Sequence, residues 1–167
     1  MNAPELAVRD ARLLIVDDEP ENLALLEEIF GNEGFQQVLS TVDATQVPAL
    51  VQNYRPDLVL LDLRMPDVDG YSLLGLIEAQ RQAGNWIPVL VLTADVTREA
   101  RYRALSLGAS DFLTKPFDQV EVVLRAWNLL ETRLLHRALT RLGEAPTLSR
   151  ESRPWAGLAS AERDRGA

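Results

Sequence analysis

The stretch PDLVLLDLRMPDVDGY, residues 56–71, decides the fold. Leu58–Leu61 is an apolar run without polar alternation, the mark of a strand covered on both faces, as in a parallel sheet between helices. Asp62 closes the run, and a loop containing Pro66, Asp67, Asp69 and Gly70 leads into a helix predicted over 71–82. Working outward, RLLIV (12–16) and PVLVLT (88–93) are runs of the same kind, and QVLST (37–41) and DFLT (111–114) complete a set of five strands. Amphipathic segments between them predict helices over 21–30, 45–53 and 98–107, with a long helix after Pro116. Pro20, Gly31, Gly34, Pro56 and Gly108 stand where these helices begin or must stop. Alternating βα units predict a doubly wound, five-stranded parallel α/β domain with right-handed crossovers.

Composition narrows the chemistry. The 167 residues contain no Cys and one His, His136, which excludes disulfides, thiolate metal sites, Cys nucleophiles and any site needing two imidazoles. No apolar run reaches the roughly 18 to 20 residues of a membrane span, and the start MNAPELAVRDAR has no signal-like stretch. A cytoplasmic protein that inserts in no membrane is therefore expected. Residues 1–117 carry 18 acidic against nine basic side chains, and residues 118–167 seven against eight. An acidic main body argues against direct nucleic-acid binding. Sixteen of the 17 basic residues are Arg, and Lys115 alone is Lys. An ammonium is a compact point charge where a guanidinium is a planar fork, so position 115 is a candidate for a role that only the former fills.

In open α/β sheets, ligands bind in the crevice at the carboxyl ends of the strands. Asp17, Asp18 and Glu19 follow the first strand, Asp62 the third and Lys115 the fifth, while Thr93 ends the fourth. Singly, Asp18 suits a helix cap, Asp62 an Asx-turn and Thr93 a main-chain hydrogen bond. Together they are electrostatically expensive: two carboxylates about 4 to 5 Å apart repel by roughly 3 to 4 kcal/mol at an effective dielectric of about 20. Either one acid holds a proton or a divalent cation sits among them. An oxygen-only donor set suits magnesium. A carboxylate beside magnesium, an ammonium and a hydroxyl is a place to hold a phosphoryl group, and carboxylates do form acyl phosphates.

The runs LLIVDDEPEN, PDLVLLDLRMPDVDGY, VLVLTA and GASDFLTKPF, in that order, resemble the receiver domain of two-component response regulators over about residues 12–132. The resemblance implies a flavodoxin-like strand order 2-1-3-4-5, with Asp62 as phosphoacceptor for a sensor histidine kinase or phosphotransfer protein. It implies Mg2+ held by Asp17, Asp18, Asp62 and the Arg64 main-chain carbonyl. Thr93 and Lys115 are implied as the phosphoryl-sensing pair, Phe112 as the switch aromatic, and Lys115–Pro116 as a cis peptide. Receiver-like phosphorylation changes charge in a small rim, so the implied role is signalling, with catalysis limited to self-phosphorylation and dephosphorylation. Phe112 replaces the commoner Tyr. Arg64 and Asp95 occupy rim positions where a pair across the mouth would hinder water.

Boundaries follow: an N-terminal arm over 1–11, the receiver over 12–132, a projecting extension of the last helix over 133–142 and a polar tail or linker over 143–167. The extension carries Leu134, Ala138 and Leu142 in a stripe that begins further up the helix, flanked by Glu131, Arg133, Arg137 and Arg141, and such a stripe needs a surface to pack on. The run RAWNLLETRLLHRAL (125–139) resembles the helix that leads into cyclic-di-GMP output domains, so the chain reads as a stand-alone receiver or as part of a longer protein. A homodimer is expected through this helix or through the face of Arg101, Asp111, Glu121 and Arg125, although Leu107, Ser110 and Asn128 interrupt the latter set. His136 reads as an exposed helix residue.

Three alternative functions share parts of this pattern. A haloacid-dehalogenase-type phosphatase wants a second acid where Arg64 stands, and a flavodoxin wants a Ser/Thr/Gly-rich loop where this chain has DDEPEN. A phosphorylation-independent interaction or dimerisation module would keep the fold, yet no residue of the acidic set, Thr93 or Lys115 is missing.

Overall fold

The computed structural model describes residues 7–82 and 85–144. Five parallel strands, β1 (Arg12–Val16), β2 (Gln37–Thr41), β3 (Leu58–Leu61), β4 (Val89–Thr93) and β5 (Asp111–Thr114), form one sheet in the order β2-β1-β3-β4-β5. The helices are α1 (Pro20–Asn32), α2 (Val47–Tyr54), α3 (Gly70–Gln82), α4 (Arg98–Ser106) and α5 (Gln119–Arg141), with a 3-10 turn at Ala44–Gln46 before α2. The turn replaces the first residues of the expected second helix because the Asp43 carboxylate accepts the Thr45 N–H and fixes a tight entry. Thr97 and Asp118 cap α4 and α5 in the same manner, accepting from Ala100 N and Glu121 N.

Alternate residues of each strand enter opposite cores. Leu13 and Ile15 of β1 join Leu60, Leu92, Leu26 and Phe30 under α1 and α5. Leu14 and Val16 join Val59, Leu61, Val91 and Ile77 under α2, α3 and α4. With both faces covered, the strands bury every residue of β3 and β4, which is why their sequences are apolar throughout β3 and up to Thr93 in β4. Gly70 starts α3 where nothing larger fits: a Cβ there would lie 2.5 Å from Leu63 Cα.

The ends of the domain differ from expectation. Val8 and Ala11 are buried in the first core, so residues 7–11 pack with the domain. The last helix also stays attached beyond residue 132. Arg133 is buried, donating to Trp86 O at 2.5 Å and Asn85 Oδ1 at 2.9 Å, and Arg137 donates to Asp57 Oδ1 at 2.8 Å. The physical reason is the i, i+4 spacing, which puts both guanidinium groups on the face turned toward the start of β3. His136, between them, is half-buried with its ring edge-on to Trp86 at 5.5 Å, not exposed. Leu135 and Leu142 point to solvent. The expected tail falls almost wholly at 145–167, outside the described residues, as do 1–6. Among the described residues no helix is long and apolar enough to cross a membrane.

Candidate functional site

Strand register assembles the site. Val16 pairs with Leu61 across β1 and β3, so the next residues, Asp17 and Asp62, emerge side by side, and Asp62 N donates to Val16 O at 2.9 Å. Thr93 pairs with Thr114 across β4 and β5, and Lys115 N donates to Thr93 O at 2.8 Å. Four residues that lie 98 positions apart at the extremes thus share one rim.

There the Lys115 ammonium bridges two buried carboxylates, with Nζ 2.6 Å from Asp17 Oδ2 and 3.0 Å from Asp62 Oδ2. The other oxygens are also held: Asp17 Oδ1 accepts from Glu19 N at 2.9 Å and Asp62 Oδ1 from Arg64 N at 3.0 Å. Asp18 is half-buried beside them, and carboxylate oxygens of Asp17, Asp18 and Asp62 lie within 4.8 Å of one another. Three carboxylates against one ammonium leave negative charge over. Burial pushes the Asp62 carboxyl above its ordinary range, against the pull of the Arg64 N–H and Lys115, and Asp17 adds to the rise. Burial works against the Lys115 ammonium, yet its hydrogen bonds to Asp17 and Asp62 outweigh it and hold its pKa above the ordinary value. The donor atoms are all oxygens in a charge-rich cluster, the set that a hard divalent cation such as magnesium prefers, so the residues fit one.

Thr93 is fully buried, and its hydroxyl accepts from Asp95 N at 3.2 Å. Phe112 is buried in the second core, with the Arg101 guanidinium 5.5 Å from its ring centroid. Lys115–Pro116 is cis. Over the mouth, Arg64 Nη2 lies 2.9 Å from Asp95 Oδ2, the pair that their positions in sequence led us to expect. Hydrogen bonds from the Thr97 main chain and hydroxyl, then Arg64, hold the Asp95 carboxyl below the usual carboxylate range.

Two features escaped sequence reasoning. Asn22 Nδ2 donates to Asp17 Oδ2 at 3.3 Å and to Glu19 Oε2 at 3.0 Å, steadying the acidic loop from the first turn of α1. Its place in DDEPEN, one turn into a helix that follows the acid pair, is the signal that was available. The second concerns the charged face. Arg125 is bonded within its own chain to Asp111 at 2.8 Å and to Glu121 at 2.8 Å, and Arg101 lies over Phe112, so these charges already have partners.

A profile of the response regulator receiver domain matches residues 13–126. The chain is 40% identical over 114 residues to Regulatory protein VanRc of Enterococcus gallinarum, covering 68% of this chain and 47% of VanRc. It is 37% identical over 129 residues to Transcriptional regulatory protein PrrA of Mycobacterium tuberculosis, covering 77% of this chain and 54% of PrrA. The chain therefore spans about half the length of these two relatives. Among solved structures, the receiver domain of Francisella response regulator 1452 aligns with a TM-score of 0.66 at 28% identity, over 75% of this chain and 99% of that one.

Proposed function

The chain belongs to the response regulator receiver domain family, and we propose that it is a phosphorylation-switched receiver whose acceptor is Asp62. The donor is a phosphohistidine on a sensor histidine kinase or phosphotransfer protein. One observation carries the reading: the chain's single lysine is bonded to both Asp17 and Asp62 in a buried rim that holds a third carboxylate. That arrangement is costly as structure and useful as a phosphoryl site.

In the proposed reaction a carboxylate oxygen of Asp62 forms a bond to phosphorus while the P–N bond of the donor breaks. The electron pair of that bond goes to the donor imidazole, which takes up a proton. Asp17, Asp18, Asp62 and the Arg64 carbonyl are the residues that would hold Mg2+. Bound there, the ion supplies neutralisation of the charge on the phosphoryl oxygens. The Arg64 N–H orients the Asp62 carboxylate, and the Lys115 ammonium pairs with phosphoryl oxygen in place of a carboxylate. Thr93, at the end of β4, supplies the hydroxyl that turns to the new acceptor oxygens. Phe112 follows on the adjacent strand. A phosphoryl group adds about two negative charges, and inverting a 99:1 equilibrium takes roughly 5.5 kcal/mol, the order of two or three charge-assisted hydrogen bonds. Hydrolysis by water resets the site.

The proposed setting is the cytoplasm. Because Arg125 is already paired within the chain, a second copy is better placed on the exposed leucines Leu135 and Leu139 of α5 and Leu142 just after it than on the charged face. Intact mass after incubation with a small phosphodonor and magnesium tests the proposal. One added phosphoryl group, lost in Asp62→Asn and with chelator, supports it, and no adduct with any donor overturns it.

A further inference from the structure

The opposite end of the sheet, where its strands begin, holds a second polar site. A cavity of about 660 Å³ opens there among β1, the end of α2 and the far half of α5, and four arginines line it: Arg12, Arg55, Arg133 and Arg137. Two carboxylates, Asp10 and Asp57, also line it, so the lining is cationic by two charges in a chain whose formal net charge is −8. Asp57 and Asp62 flank the four residues of β3. At roughly 3.3 Å per residue the two sites are about 16 Å apart.

The charges within the cavity do not balance. Asp57 is buried, and its Oδ2 accepts from Arg12 N at 3.1 Å. Its Oδ1 faces two guanidinium groups at once, Arg137 Nη1 at 2.8 Å and Arg133 Nε at 3.5 Å. Arg133 is more than nine-tenths buried; its Nη1 and Nη2 donate to the neutral Trp86 O and Asn85 Oδ1, and its Nε makes no hydrogen bond. A buried cation is stable only when paired and hydrogen-bonded, so two guanidinium groups sharing one carboxylate oxygen leave a deficit of negative charge. The shift of Arg133 agrees: burial lowers its pKa, with Asp57 opposing and Arg137 adding to the fall. A guanidinium carries five N–H donors in a planar fork that matches carboxylate and phosphate oxygens.

We infer that this cavity binds a small, multiply charged oxyanion, a phosphate ester or a polycarboxylate, which supplies the charge that Asp57 alone does not. The cavity volume lies within the roughly 300 to 1,000 Å³ of small-molecule sites. Arg133 and Arg137 belong to α5, whereas Arg12 and Arg55 belong to β1 and the end of α2. A bound anion ties the long helix to the end of the sheet where the strands begin.

Titration calorimetry of the full chain with pyrophosphate, and separately with citrate, tests this in chelator-containing buffer of constant ionic strength. Saturable one-to-one binding of either anion is expected in the parent and equally in Asp62→Asn, which separates this site from the phosphoryl site. The anion that binds names the class. Arg137→Gln, at a half-exposed position, weakens binding about tenfold or more. Arg98→Gln, an exposed arginine elsewhere, leaves it unchanged. No saturable heat with either anion, or equal binding by the parent and Arg137→Gln, overturns the inference.

Discussion

Lys115 Nζ lies closer to Asp17 Oδ2, at 2.6 Å, than to any oxygen of Asp62, where the shortest approach is 3.0 Å. The ammonium therefore neutralises the acid pair as much as the proposed acceptor. Divalent cation and lysine are, on this account, competing answers to one charge problem. Lys115→Gln exposes that problem. Removing one partner of a buried pair costs about 3 to 5 kcal/mol, and with Asp17 and Asp62 both buried we expect a loss near the lower end, about 3 kcal/mol. Added magnesium recovers much of it. Urea unfolding with and without the ion measures both, and a variant equally unstable in either condition contradicts the competition.

The Arg64–Asp95 pair crosses the mouth above Asp62, but Arg64 is 69% exposed. An exposed pair contributes about 0 to 1 kcal/mol to folding, so Arg64→Ala leaves the unfolding midpoint nearly unchanged. Its expected effect is kinetic: the phosphorylated form loses its phosphoryl group about two- to tenfold faster because water reaches phosphorus more freely, with a barrier change of order 1 kcal/mol. Decay of the phosphoprotein by intact mass decides, and an unchanged half-life removes the shielding role.

Gly70 sits at the end of the loop that carries Arg64, with Leu63 main-chain atoms where its Cβ would be. The expected cost of Gly70→Ala is that of overpacking, about 1 to 3 kcal/mol. Because Leu63 adjoins Asp62, the same shift misplaces the acceptor and slows phosphorylation. Gly75→Ala, in the open middle of α3 with nothing near its Cβ, is the control and is neutral or stabilising.

Tyr54, at the end of α2, donates its hydroxyl to Gln37 O at 2.9 Å. Burial raises its pKa above 10.0, with Arg12 opposing and Asp57 adding to the rise. The folded chain thus holds the phenolic proton more tightly than the unfolded chain. The stability from this group is fully present below the unfolded pKa near 10 and is lost as pH rises through the folded pKa. Absorbance titration of the parent against Tyr54→Phe shows the difference as a tyrosinate component that appears later than free tyrosine.

Much of this was legible because burial on two faces writes itself into strands as unbroken apolar runs. Leu58–Leu61 and Val89–Leu92 carry no polar residue on either face that a solvent-facing sheet would need. The rim was legible for a related reason: chemistry-bearing residues directly follow those runs, and one lysine among arginines marks itself. The attachment of α5 was not legible. Arg133 and Arg137 read as the solvated flank of an apolar stripe, and their partner Asp57 lies 80 positions before Arg137. Only the folded crossover brings them together. The pairing of Arg125 was not legible either, since its bonds to Asp111 and Glu121 depend on β5 and α5 being brought together.

The most direct test of the account is the position of the phosphoryl group. The chain is phosphorylated with a small phosphodonor and magnesium, reduced with borohydride, which converts an aspartyl phosphate to homoserine, digested and sequenced by mass spectrometry. The account predicts homoserine at position 62 and at no other. Homoserine at 17 or 18, or a phosphoryl group carried by His136 with Asp62 intact, would contradict it.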